Sequence, residues 1–350
     1  MNSLHETLAT LVEIPSVTGT EGRLCTAIAE RLLPIFTMPG VQRVGNSLIV
    51  GQQTGRPLVS LYGHIDTVPV QDNLTVRVEG DRMIGLGTSD MKAGLAVMIH
   101  LLEDDEVRTG DYDVVGVFYD KEEGPAAENG LGDVLARAPW LADSALAIVM
   151  EPTDLRLELG CSGVINADVV FHGRSAHSAR PWLGENAVTK AGAWLTELDG
   201  REPEPFDVSG LEYFEVFSVT RAEGGIANNV IPASFTVNLN HRFPPLYDLG
   251  EAEQRLRRVA APADDVMIRD RAPAGKVPEP GEHLDRLERV LGADRAAKQG
   301  WTDVARLTEV GIPAVNYGPG ETAQAHQVGE SVALKNLDDA FSAMRAFFTE

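Results

Sequence analysis

Apolar positions near the start of the chain recur at helical spacing. Leu4, Leu8, Leu11 and Val12 predict an amphipathic helix stopped by Pro15, behind a Ser3-x-x-Glu6 capping box. Leu24, Ile28 and Leu32 predict a second helix over about 21–33. The period then shortens. Continuous apolar runs at 47–50, 57–62, 114–119 and 145–150 predict strands covered on both faces. Residues 70–83 alternate loosely, as a surface hairpin does. Between these runs, an Ala-, Leu- and Met-rich helix is predicted over about 91–103, with Asp90 in the place of its N-cap.

From about residue 162 the pattern changes. Strands are predicted at 163–171, 215–221, 232–243 and 265–270, and helices at 185–198 and 248–259. Phe235, Val237 and Leu239 share one side of the cleanest strand. The order β-α-β-β-α-β is that of a ferredoxin-like module. A Pro-, Gly- and Ala-rich link at 272–280 ends it, and a helix at 283–291, a strand at 312–317 and a helix at 336–348 resume the earlier style. The expected fold is therefore α/β in two domains. Residues 1–161 and 275–350 would form an α/β/α domain, and 162–274 an inserted ferredoxin-like lid.

Composition narrows the class. The chain has 350 residues, 43% apolar and 23% charged, as ordinary globular proteins do. A net charge of -22 argues against nucleic acid, whose phosphates require a basic footprint. It also means that an anionic substrate must be held by local cations. No apolar run nears the ~18–20 residues of a membrane span, and the start lacks the basic and apolar regions of a secretory signal. Two cysteines, Cys25 and Cys161, offer no disulfide framework and fit a reducing cytoplasm, the expected location.

The candidate chemistry sits where strands end. The run 58–63 leads into His64-Ile65-Asp66, and residues two apart on an extended chain point the same way. Such an aspartate can fix the tautomer of a metal-binding histidine. The run 114–119 leads to Glu122-Glu123, and 145–150 to Glu151. In parallel sheets reactive groups gather beyond the carboxyl ends of strands. With Asp90 and His326 this makes two imidazoles and several carboxylates, the donor set of a zinc site or of two zincs sharing a carboxylate. Such a pair can hold a nucleophilic hydroxide and polarise an amide carbonyl. Two adjacent glutamates cannot share a face, so one would serve a metal and the other move a proton. His5, His100, His172, His241 and His283 lack ligand spacing and are expected to be structural. The acidic run 103–106 is expected to be a solvated helix end.

Gly63-His64-Ile65-Asp66-Thr67-Val68-Pro69, Gly87-Thr88-Ser89-Asp90-Met91-Lys92-Ala93-Gly94, Glu122-Glu123-Gly124, Glu151-Pro152-Thr153 and Ala325-His326 resemble the ordered motifs of the dizinc aminoacylase/carboxypeptidase family. Trp301-Thr302-Asp303-Val304-Ala305-Arg306 and Asn316-Tyr317-Gly318-Pro319-Gly320 are most similar to its succinyl-diaminopimelate desuccinylase branch, the actinobacterial members especially. The resemblance implies that His64 and Glu151 bind one zinc, Glu123 and His326 the other, and Asp90 both. Cobalt or manganese would also suit these donors. Asp66 would orient His64, and Glu122 would be the general base. His177 of the inserted module would stabilise the oxyanion in the partner subunit's site of a homodimer built through that module. Asn228, Asn229, Arg242, Thr302 and Arg180 would contact substrate, Arg242 meeting a carboxylate. The implied reaction is hydrolysis of the anionic N-succinyl-LL-2,6-diaminopimelate to succinate and LL-2,6-diaminopimelate. Acetylornithine-type deacylases, metallocarboxypeptidases and a non-catalytic binder are the alternatives.

Overall fold

The computed structural model describes residues 2–350. The chain separates into two compact units, Met1–Gly160 with Lys276–Ala296 and Thr302–Glu350, and Cys161–Gly275 with Ala297–Trp301. In chain order the strands of the first unit are β1 (Val41–Val44), β2 (Ser47–Val50), β3 (Leu58–His64), β4 (Arg77–Glu79), β5 (Arg82–Ile84), β6 (Asp113–Tyr119), β7 (Ser144–Val149) and β8 (Leu157–Leu159). The second unit contributes β9 (Gly163–His172), β10 (Glu204–Val208), β11 (Leu211–Gly224), β12 (Ser234–Phe243) and β13 (Asp265–Ala272). The chain then adds β14 (Arg295–Ala297), β15 (Ala314–Asn316) and β16 (Ser331–Ala333).

The first unit is built on an eight-stranded sheet of order β1-β2-β6-β3-β7-β15-β8-β14. Its centre is parallel, with β3 between β6 and β7 and β15 beyond β7. Every residue of β3 and β6 is buried, as their unbroken apolar runs require. The helix Ala93–Glu103 packs on β3 and β6 and against the helices Ser3–Glu13, Gly22–Leu32 and Leu334–Thr349. It is apolar almost all round because other elements surround it. Parallel order brings the carboxyl ends of β3, β6, β7 and β15 to one edge.

The second unit is a five-stranded antiparallel sheet, β10-β11-β12-β9-β13. One face carries Ile165, Val169, Phe171, Val237, Leu239 and Phe243 under the helices Gly192–Asp199 and Leu249–Val259. The other face is polar: Asn166 accepts from Asn238 and Asn240, and Asp168 pairs with Arg221 and Arg269. The β-α-β-β-α-β order is present, with one strand more than the pattern predicts. Ser209 and Gly210, both at positive φ, turn β10 into β11 as a two-residue hairpin. The helix expected over 185–198 is two pieces, Ala187–Lys190 and Gly192–Asp199.

Other local expectations also shift. Asn2, not Ser3, caps the first helix by accepting from the His5 backbone. Asp90 caps nothing: its φ and ψ of -118° and 91° are not helical, the Asp90–Met91 peptide is cis, and the helix starts at Ala93. The acidic run is engaged rather than merely solvated. Glu103 pairs with Arg31, and Asp104 caps the helix Asp105–Thr109 while pairing with Arg345.

His241, buried under the second unit's helices, is stacked on Phe217 and donates to Glu215 at 2.8 Å. Arg255 grips the same carboxylate at 2.5 and 2.7 Å. Burial alone would raise Glu215, but these bonds outweigh it and hold its carboxyl down at about 2. Burial lowers His241, so it stays neutral and donates an ordinary ring N–H. A depressed carboxylate stabilises the fold above its unfolded pKa of ~4.3, and the benefit fades as pH falls toward the folded value. Glu215→Gln is therefore expected to cost about 3 kcal/mol at pH 7 and progressively less between pH 4 and pH 2. Denaturant unfolding at both ends of that range checks this, and a gap that does not narrow refutes it.

Candidate metal centre

His64 closes β3 and is almost fully buried. Its Nδ1 faces the backbone oxygen of Asp66 at 3.1 Å and the carboxylate of Asp66 at 3.5 Å. This leaves Nε2 directed at Asp90 Oδ1, 3.2 Å away, and Glu151 Oε1, 3.8 Å away. His326 approaches from the opposite side, its Nε2 lying 3.4 Å from Asp90 Oδ2 and 3.0 Å from Glu123 Oε2. Donor atoms of His64, Asp90 and Glu151 lie within 4.8 Å of one another, as do those of Asp90, Glu123 and His326, and of His64, Glu122 and Glu123. Asp90 belongs to two of these groups, one oxygen to each histidine.

The positions follow from the sheet. Glu122 and Glu123 leave β6 just after Lys121, and His326 follows β15; Lys121 and His326 both have positive φ, which few non-glycine residues adopt. Gly94 lets the first turn of its helix press against the Met150 carbonyl, where any Cβ would collide, and so brings Asp90 beside Glu151.

Asp66 does more than orient His64. Its two oxygens accept the backbone N–H of Glu122 at 2.9 Å and of Glu123 at 3.0 Å, and one also accepts the Thr18 hydroxyl at 2.9 Å. One carboxylate therefore ties the end of β3 to the loop after β6. Thr302 is buried in the same unit, beside Asp303. Asp303, part of the 301–306 motif but given no role there, accepts Asn129 Nδ2 at 3.0 Å and forms an ion pair with Arg306, whose Nε lies 2.8 Å away. Its charge is among those that raise Glu122.

The electrostatics test whether metal ions fit. Asp66, Asp90, Glu122, Glu123 and Glu151 face only two imidazoles. Burial would lower His64, yet its bonds to Asp66 and Asp90 and the charges of Glu151 and Glu122 leave it well above its ordinary value. Hydrogen bonds to Asp90 and Glu123 push His326 up to about 10. Burial pushes Glu122 well up; His64 opposes this, while Glu151, Asp303 and Glu123 add to it. Protons are being held to offset crowded negative charge, a task that divalent cations perform better. The donors are hard carboxylates and borderline imidazoles, as zinc-type ions prefer.

The comparisons decide the family. Residues 60–350 match the model of peptidase family M20/M25/M40. The chain belongs to this family. It is a hydrolase of metal-dependent type. The chain is 38% identical to Mycobacterium tuberculosis DapE over 344 residues, 98% of this chain and 97% of that one. It is 37% identical over 353 residues to the succinyl-diaminopimelate desuccinylase of Corynebacterium glutamicum, covering 97% and 94%. In fold it is similar to a dinuclear metal-binding M20 peptidase of Bacillus subtilis, with a TM-score of 0.69, 18% identity and coverage of 99% and 96%.

The remaining candidates lie in the second unit. His177 forms an isolated bridge with Val230, and Ser178 N–H donates to the Asn229 oxygen, so His177, Asn228 and Asn229 share one end of the sheet. Arg180 is in the same exposed loop. Arg242 is elsewhere. It lies eight residues along β12 from Ser234, roughly 26 Å at strand rise. There its Nε donates to Asn240, and it has no carboxylate partner among the described residues. A cavity of about 610 Å3 between Trp194, Phe217, Arg201 and Arg255 is lined by none of the predicted site residues. No helix is long and apolar enough to cross a membrane among the described residues.

If His64 and His326 bind the ions, the protons that they hold must leave, and affinity should rise with pH. Calorimetric titration with Zn2+ near pH 7, in buffers of different ionisation enthalpy, should show about two protons released per pair of ions. A heat that is independent of the buffer refutes this.

Proposed function

We propose that the chain is a dizinc amidohydrolase that cleaves N-succinyl-LL-2,6-diaminopimelate to succinate and LL-2,6-diaminopimelate. The observation that carries the reaction class is Asp90, whose two oxygens face two histidines, each with its own glutamate. The succinyl substrate is supported by the near-full-length likeness to the Corynebacterium desuccinylase and by Arg242, whose planar guanidinium suits a carboxylate.

In this reading His64 and Glu151 would hold one ion, Glu123 and His326 the other, and Asp90 would be shared between them. When bound, the ions polarise the amide carbonyl and acidify a water. Glu122 takes a proton from the water as the water oxygen adds to the carbonyl carbon, then delivers that proton to the leaving nitrogen, so that the carbon–nitrogen bond breaks to a carboxylate and an amine. Its raised carboxyl is displaced in the direction that proton transfer near neutral pH needs. Asp66 keeps Glu122 in place through its backbone N–H.

Zinc-loaded protein should release succinate from this compound in preference to acetate from acetylated analogues. Glu122→Ala should keep both ions and lose about 10²–10⁴ in turnover. A preference for acetyl groups overturns the substrate, and an active Glu122→Ala overturns the base.

His177 and Arg242 lie farther apart within one chain than the two ends of a small N-acyl diamino acid. Both can serve one substrate only if His177 comes from a second copy, so the functional unit is a homodimer joined through the second unit. Mixing His177→Ala with Glu122→Ala subunits would then recreate one complete site in each heterodimer. After random exchange, about a quarter of wild-type activity should return. No recovery, with exchange verified by mass, places His177 in its own chain's site.

A further inference from the structure

The turn that carries Asp90 has a backbone problem. Asp90 and Met91 are not helical, and no side chain caps the helix that begins at Ala93. The N–H groups of Gly87, Ser89 and Asp90 are consequently outside any ladder, in buried surroundings. Each would carry the full desolvation cost of a buried donor if unpaired. One side chain takes all three. Glu330 Oε2 accepts from Gly87 at 2.7 Å, and Oε1 accepts from Ser89 at 2.8 Å and Asp90 at 2.9 Å.

Glu330 is held there from both sides. Its own backbone oxygen accepts the Gly85 N–H at 3.0 Å, and the next residues form β16, paired with β5 directly before the turn. Glu330 is 1% exposed. Four residues earlier the same loop supplies His326, which lies against Asp90 and Glu123. The loop therefore delivers a candidate ligand and also grips the backbone of the shared carboxylate.

We propose that Glu330 is a positioning residue of the metal centre: by clamping the Gly87–Asp90 backbone it fixes where Asp90 stands between the two ions. This rests on the dinuclear reading above. Removing the clamp would let Asp90 shift and would weaken both ions together, since it belongs to both donor groups.

The protein contains its own control. Asp113 holds a second loop with the same device, accepting the backbone N–H of Thr54 at 2.5 Å, Gly55 at 3.0 Å and Arg56 at 3.2 Å. Asp113 opens β6, at the end of that strand remote from Glu122 and Glu123. A purely structural clamp should behave as Asp113 does.

The test is Zn2+ competition against a chromophoric chelator for wild type, Glu330→Gln, Glu330→Asp and Asp113→Asn, with unfolding of the metal-free proteins alongside. Glu330→Gln should weaken zinc binding by about 10–100-fold. Glu330→Asp, which keeps the charge one methylene short, should fall between it and wild type and covers the case of a Gln variant that does not fold. Asp113→Asn should lose stability yet bind zinc as wild type does. Wild-type affinity in both Glu330 variants, or an equal loss in Asp113→Asn, overturns the clamp. Wild type that takes up no zinc instead overturns the dinuclear reading on which it stands.

Discussion

Crowded negative charge is the constraint on which the first unit depends. Five carboxylates meet beyond the carboxyl ends of parallel strands with two imidazoles among them; His64, Asp66 and Glu151 are buried, Asp90, Glu122 and Glu123 half-buried, and His326 exposed. Like charges so close, in a medium of low polarisability, repel strongly and raise one another's proton affinity. The raised positions of Glu122, His64 and His326 are the response of the protein alone. The same repulsion is what would favour divalent ions here in the dinuclear reading. A cluster that costs stability when empty returns it when cations bind.

Keeping such groups together requires a frame that does not yield, and the frame is largely made of backbone N–H groups. Asp66 gathers those of Glu122 and Glu123; Glu330 gathers those of Gly87, Ser89 and Asp90. Both carboxylates reach between segments distant along the chain, so each sets one part of the site against another. Buried carboxylates are expensive, but oxygens filled by several donors are repaid for their lost water. The arrangement separates the acids that face the centre from those that hold their supports.

The second unit follows different physics. Its sheet is two-faced, apolar under its helices and polar on the other side, with Asn166 and Asp168 organising the polar face. His177 with Asn228 and Asn229 stands at one end of the sheet, and Arg242 well along β12 from them.

Much of this was determined by the sequence alone. Unbroken apolar runs announced β3, β6 and β7 because strands covered on both faces admit no polar alternation. His64, Asp90, Glu122, Glu123, Glu151 and His326 were legible as candidates because metal chemistry favours few residue types, and the fold brings them together. Short pieces were not: β8, β14 and β16 have three residues each, too few for a period to show. Asp90 read as a helix cap because the local pattern could not reveal the non-helical turn that follows it. Glu330 carried no signal, and Asp303, though inside the 301–306 motif, had nothing to mark it for a role of its own. What each does depends on groups brought to it from more than a hundred residues away, backbone N–H for Glu330 and the Asn129 amide for Asp303, and that only the folded chain could decide.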